Sequence, residues 1–266
     1  MDRIHQPTHG SLHVEGVMSE ALRGRGSVWI YLPPEYDTQP DREFPALYLL
    51  HGAWGWEFDW AVKGRAGETA GQMIAAGEIE PHVIVMPSDG LTGIGSLYVN
   101  WRGEAPQYAD WIVHDLTGHI ETNLRVMADR RSRCIGGLSM GGYGAVNLGL
   151  SNRELYRSVA SHSGFFDVRA LGEFFQPVYN EALGTPERVR ANNPMEYVED
   201  IPADEMPALH FDCGTDDFLY EANVSFHERL EDLGLPHTYR EHPGSHTWDY
   251  WSEHLADQLL FHFGDR

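Results

Sequence analysis

The chain is short of positive charge, of cysteine and of long apolar runs, and each shortage closes off a class of function. Lysine and arginine together number 19 against 40 aspartates and glutamates, a formal charge of −21. A field of that sign repels phosphate backbones and anionic headgroups, so neither nucleic acid nor a membrane surface is expected as a partner. No run of 18 or more apolar residues occurs, which excludes a transmembrane helix. Residues 1–10 lack the apolar stretch of a secretory signal, so the sequence as given reads as cytoplasmic. The two cysteines, Cys134 and Cys213, each lie inside an apolar run. Their number excludes a disulfide scaffold, and their setting suits small buried hydrophobes in a reducing compartment.

What is present is ample apolar material: 42% of 266 residues, enough for one large α/β domain. Two extended runs near residues 11–18 and 27–32 look like an antiparallel opening pair. Short continuous apolar runs follow at 45–52, 82–87, 133–137, 158–164 and 208–214, the pattern of strands buried on both faces, with a last extended piece at 238–242. Between them, residues 68–76, 108–124, 141–150, 220–233 and 248–263 repeat apolar positions at three- and four-residue spacing, which predicts helices. Strands alternating with helices imply a mostly parallel central sheet with right-handed crossovers and helices on both faces. Residues 165–206 break the alternation, hold six aromatics and four prolines, and read as an insertion forming a lid or pocket wall. With no repeat or linker, residues 1–266 read as a single domain.

Residues 135–145 carry five glycines around one serine, as Gly137-Leu138-Ser139-Met140-Gly141 inside Ile-Gly-Gly-Leu-Ser-Met-Gly-Gly-Tyr-Gly-Ala. No Lys-Ser/Thr pair follows, so this is no phosphate-binding loop. The motif follows a predicted strand and opens a predicted helix, the setting of a turn that mounts a nucleophile. The positions two before and two after the serine must then be small, because strand and helix backbones approach there. A serine nucleophile needs a base and an orienting acid, in the chain order serine, acid, histidine on such a fold. Asp216 and Asp217, just past a strand-ending glycine, compete for the acid, while Asp212 lies within the strand. For the base, His246 follows a Pro-Gly turn that can project it over the sheet, and it is preferred to His242. A His242/His246 metal pair would span that turn without a third ligand, so no metal is expected, nor any cofactor. The oxyanion of an acyl-transfer intermediate would be held by the amide of Met140 and by that of Ala53, in the loop after the third strand. His51 at that strand's end is expected to play a hydrogen-bonded structural part.

Taken together, Leu-Leu-His-Gly at 49–52, the serine motif, Ser-His-Ser-Gly at 161–164, Asn-Asn-Pro at 192–194, Cys-Gly-Thr-Asp-Asp-Phe-Leu at 213–219 and Gly-Ser-His-Thr-Trp at 244–248 resemble the esterase D-like family of α/β hydrolases. That family includes feruloyl and acetyl-xylan esterases, S-formylglutathione hydrolases and the antigen 85 mycolyltransferases. The resemblance implies an α/β-hydrolase fold and a catalytic triad of Ser139, Asp217 and His246, with Ala53 and Met140 as oxyanion donors. It also implies substrate-pocket positions at Trp60, Tyr98 and Asn100. The cysteine-containing loop associated with the S-formylglutathione hydrolases is lacking. The many tryptophans of residues 51–60 and 248–251 suit an aryl or sugar ester. The expected activity is therefore that of a serine carboxylesterase acting on a small-molecule ester. An acyltransferase using the same triad, or a non-catalytic binding protein, would be the alternatives, and a homo-oligomer is compatible with the sequence.

Overall fold

The computed structural model describes residues 6–90, 93–170 and 176–264. Its framework is one eight-stranded sheet: β1 (Ser11–Ser19), β2 (Gly24–Leu32), β3 (Ala46–Leu50), β4 (Val83–Pro87), β5 (Arg133–Leu138), β6 (Ser158–His162), β7 (Ala208–Gly214) and β8 (Thr238–His242), in the order β1-β2-β4-β3-β5-β6-β7-β8. β2 is antiparallel to both β1 and β4, and every pairing from β4 through β8 is parallel. The opening pair and the parallel remainder both follow the expected pattern. The strand after residue 24 starts earlier than the apolar run suggests, because pairing with β1 extends to Gly24.

The principal helices are α1 (Ala66–Ala76), α2 (Met140–Ser151), α3 (Tyr220–Asp232) and α4 (Trp248–Phe263). β3 shows how they sandwich the sheet. Leu47 and Leu49 join a cluster with residues of α1 and α4, such as Ala70, Leu255 and Leu259. Tyr48 and Leu50 join the opposite cluster, with Tyr143 and Val146 of α2 and Phe226 of α3. Alternate side chains of one strand therefore feed two cores, as a two-faced buried strand must. The helical run expected at 108–124 is present but not uniform. A turn at Tyr108–Asp110 leads into a π-helical stretch, Trp111–Leu116, before regular helix resumes at Thr117–Asn123. The wider π turn accompanies the burial of Trp111, whose indole N–H donates to Ser88 O at 2.9 Å.

The segment 165–206 is built of short helical turns rather than irregular chain: Val168–Ala170, Gln176–Ala182, Pro186–Ala191, Pro194–Tyr197 and Val198–Asp200. Residues 171–175 of it lie outside the described residues. Each turn is too short to hold by itself, and Phe166, Val168, Leu183 and Val198 anchor the segment in the α2-side core. Tyr143 on α2 adds a hydrogen bond from its hydroxyl to Asn192 O, 2.7 Å. Among the described residues no helix is long and apolar enough to cross a membrane.

Candidate active site

The carboxyl ends of β3, β5, β7 and β8 meet at one edge of the sheet, where ligands gather in open α/β sheets. Ser139 directly follows β5 with φ 53° and ψ −118°, a left-handed backbone costly for a residue with a Cβ. Its amide donates to His162 O at the end of β6, 2.9 Å, and helix α2 starts at the next residue. The turn can be this sharp because Gly137 and Gly141 pack backbone on backbone. A Cβ on Gly137 would stand 2.4 Å from Gly141 O, and one on Gly141 would stand 2.4 Å from Leu50 O. No larger residue fits either position without opening the strand–helix junction.

The loops carrying the acid and the histidine are stitched together by main-chain bonds. Thr215 N donates to His242 O at 2.9 Å and Asp216 N to Gly244 O at 2.8 Å. This fastening leaves the Asp216 side chain in solvent and turns the Asp217 carboxylate inward, where it is buried. The choice between the two aspartates falls on Asp217. Its oxygens lie 2.9 and 3.0 Å from His246 Nδ1, while His246 Nε2 lies 2.9 Å from Ser139 Oγ. Burial alone would raise the Asp217 carboxyl, but hydrogen bonds from His246 and from the Leu219 amide at 2.8 Å outweigh it and hold the group below its ordinary range. An ionised Asp217 fixes the proton of the imidazole on Nδ1, leaving Nε2 free to accept the serine proton.

Met140 is the first residue of α2, so its amide has no acceptor within the helix. Ala53 lines the same cleft as Ser139. One expected oxyanion donor thus stands at the helix N-terminus next to the serine in the chain, and the other lies on the loop that lines the same cleft. His51 takes the structural part expected of it. It is buried, and its Nδ1–H donates to Gly52 O at 2.8 Å, with its own carbonyl receiving the Tyr98 hydroxyl at 3.0 Å.

The cleft above Ser139 has a volume of about 1180 Å³. Its walls are largely apolar: Trp54, Phe165, Met195, Phe218, Leu219, Trp248 and Trp251, with Leu138 beside the serine. Polar groups enter at the margins, Asp59 and Lys63 on one side, Asp167 and Glu221 on the other. Lys63, the one lysine of the chain, binds the buried Asp59 at 3.0 Å and lies 5.7 Å from the Trp248 ring centre. Phe218 is 76% exposed, and its ring sits 4.5 Å from that of His246.

Trp60, Tyr98 and Asn100, the three expected pocket residues, do not line this cleft. Trp60 is buried and its indole N–H is consumed by Leu50 O at 2.9 Å. It stands behind the cleft wall, edge-on to Trp248 with ring centres 5.4 Å apart. Tyr98 is equally buried and supports the His51 loop through its hydroxyl. Asn100 exchanges two hydrogen bonds with Asp110, 2.8 Å from its side-chain nitrogen and 3.1 Å to its oxygen. Each has its polar atoms engaged by the protein, which corrects the pocket assignment to a packing one. Missed by the sequence reading were Phe218 and Phe165 as walls, and Asp59 as a buried acid at the cleft. Adjacency to Asp217 was the available signal for Phe218, whereas Phe165 needed the path of the inserted segment.

Among the described residues one group of three side chains could approach a cation: His242, His254 and Asp257, with ligand atoms within 4.8 Å of one another. The two imidazoles are stacked, ring centres 4.0 Å apart and planes 17° from parallel. A metal lies close to the plane of each imidazole that binds it, and two nearly parallel planes do not meet at an ion. His246 takes no part, since both its ring nitrogens are engaged by Asp217 and Ser139.

Comparison with known proteins bears on the family and the fold. The family profile described as "Putative esterase" matches residues 19–262. An acetyl esterase of Caldicellulosiruptor saccharolyticus is 24% identical over 90% of this chain and 93% of its own. Esterase Rv1288 of Mycobacterium tuberculosis is 28% identical over 86% of this chain, which spans only 54% of that longer protein. Among solved structures, a ferulic acid esterase superposes with a TM-score of 0.81 at 27% identity, covering 96% of this chain and 98% of that one. The chain belongs to that esterase family, as a carboxylic ester hydrolase with the α/β-hydrolase fold.

Proposed function

We propose that the protein is a serine carboxylesterase that works through an acyl-enzyme on Ser139. The observation that carries this reading is the unbroken chain Ser139 Oγ–His246–Asp217, with 2.9 Å at each link, opening on an apolar cleft. His246 Nε2 takes the hydroxyl proton as Oγ attacks the ester carbonyl, and Asp217 stabilises the imidazolium that forms. The carbonyl oxygen, now anionic, is held by the amides of Ala53 and Met140. As the tetrahedral intermediate collapses, His246 returns the proton to the departing alcohol and the acyl group stays on Oγ. Water then takes the alcohol's place. His246 removes its proton, the second intermediate forms on the same donors, and the acid leaves with Ser139 restored.

The aromatic walls and the acids at the margin favour an uncharged small-molecule ester, with an aryl or sugar group against Trp54, Trp248 and Phe218. Among the named relatives, one is called an acetyl esterase and another a ferulic acid esterase, a short acyl group in the first name and an aryl acyl group in the second. Purified protein should react with a fluorophosphonate probe and hydrolyse p-nitrophenyl acetate. Ser139→Ala should abolish labelling and lower kcat by on the order of 10³-fold or more. Equal hydrolysis by that variant would end the serine mechanism. A panel of acetyl, feruloyl and longer acyl esters, compared by kcat/KM, would then rank the substrates.

A further inference from the structure

Two aromatic rings meet the His246 imidazole, and the protein treats them differently. Trp251 is buried, edge-on to the imidazole with ring centres 4.8 Å apart, and its indole N–H is taken by Ser163 Oγ at 3.1 Å. Phe218 stands closer, 4.5 Å between ring centres, yet it is 76% exposed and lines the cleft. Its place is set by the turn that delivers the acid. Leu219 N donates to the Asp217 carboxylate at 2.8 Å and Tyr220 N to Asp217 O at 3.0 Å, so Phe218 sits inside a closed turn. An apolar ring presented to water from a fixed backbone, beside the catalytic base, is a contact waiting for a ligand.

The chemistry of acyl transfer says which part of a substrate covers it. The alcohol oxygen must come within hydrogen-bond reach of His246 Nε2, which protonates it as it leaves, while the carbonyl oxygen turns to the oxyanion donors. Nε2 lies 2.9 Å from Ser139 Oγ, so the first carbons of the alcohol lie against the imidazole and the ring beside it. The acyl chain is the substituent that His246 does not touch. Glu221 lines the same cleft and repels an alcohol that carries negative charge. We propose that Phe218 is the specificity-determining residue for the alcohol half of the ester, and that this half is an uncharged aryl or arylalkyl alcohol. Its ring packs on Phe218 during acylation and is released at the exposed mouth of the cleft. The proposal rests on the serine-esterase reading above and narrows it to the leaving group.

The test measures kcat/KM for ethyl acetate, benzyl acetate and ethyl 3-phenylpropanoate with the parent, Phe218→Ala and Phe218→Tyr. Benzyl acetate carries its ring on the alcohol, and ethyl 3-phenylpropanoate carries it on the acyl group. Comparing each variant with the parent cancels the intrinsic reactivity of the esters. Phe218→Ala should lower the preference for benzyl over ethyl acetate by about tenfold, and Phe218→Tyr, which keeps a ring, should restore it. The preference for the phenylpropanoyl over the acetyl group should stay within about twofold of the parent's. A ring that merely packs on His246 predicts something else, an equal change for all three esters that leaves both preferences where they were. That result would overturn the proposal, as would a loss confined to ethyl 3-phenylpropanoate, which puts the ring on the acyl side. Fluorophosphonate labelling of the parent separates the two levels. Without labelling at Ser139 the esterase reading itself falls, whereas labelling with unmoved preferences sinks only the part given to Phe218.

Discussion

Two of the histidine–aspartate pairs, at the carboxyl edge of the sheet, share nearly the same short contact. His162 Nδ1 lies 2.7 Å from Asp212, and His246 Nδ1 lies 2.9 Å from Asp217. Their surroundings differ entirely. The His162 side chain is wholly buried, with the Trp60 ring 6.1 Å away and the Tyr250 hydroxyl donating to the other oxygen of Asp212 at 2.8 Å. The His246 side chain is 18% exposed, lines a cleft and has a serine hydroxyl on its far nitrogen. A carboxylate partner therefore does not make a histidine a base. Access to substrate and a hydroxyl to deprotonate do, and the buried pair is a clamp that ties β6, β7 and α4 together.

Swapping the same substitution between the pairs is the sharpest way to break that comparison. Asp217→Asn should lower kcat by on the order of 10²–10⁴-fold, because the amide can present its N–H to the imidazole and favour the wrong tautomer. Its melting temperature should change little. Asp212→Asn should do the reverse, costing about 2–4 kcal/mol of stability while folded molecules keep most of their turnover. Denaturant melts with parallel rate measurements decide this. A folded Asp212→Asn protein that is as inactive as Asp217→Asn would show that the clamp takes part in the chemistry.

The pH dependence sharpens the same contrast. Burial pushes the Asp212 carboxyl up, but attraction to His162, the hydrogen bond from it and the nearness of His210, 3.6 Å away, carry it well below the usual carboxylate range. A folded-state value below the unfolded one stabilises the fold in full above about pH 4 and less as pH falls towards the depressed value. Acid unfolding of the parent should therefore be steeper below about pH 4 than that of Asp212→Asn. Tyr250→Phe removes one donor from the clamp and should cost about 1–2 kcal/mol without altering KM. Trp60→Phe should have the smallest effect, about 1 kcal/mol from the lost bond to Leu50 O and an unchanged KM. A several-fold rise in KM would instead return Trp60 to the pocket.

How far the sequence reveals all this depends on the distance over which each contact is decided. The alternation of strand and helix and the mounting of Ser139 are local, and they are legible in residues 133–150. The order of serine, acid and histidine follows from the fold. Asp216 and Asp217 are indistinguishable locally, since both follow the same strand, and the main-chain bond from Asp216 N to Gly244 O separates them. The clamp is invisible in the sequence because His162 and Asp212 are 50 residues apart. They meet only because the register of β6 against β7 sets them opposite each other. Trp60, Tyr98 and Asn100 mislead for a related reason. A polar atom on an aromatic or amide side chain suits substrate as well as a main-chain carbonyl, and only the packed structure says which one it has found.

Trp54, Ser139 and Ser163 are three non-glycine residues in left-handed backbone; Trp54 and Ser139 line the cleft, and Ser163 is buried behind its Trp251 wall. Each would be relaxed by glycine, a change of one or two bases in a codon. The strain is a standing cost of the side chains themselves, and replacing any of the three by glycine would raise stability while removing what that side chain offers.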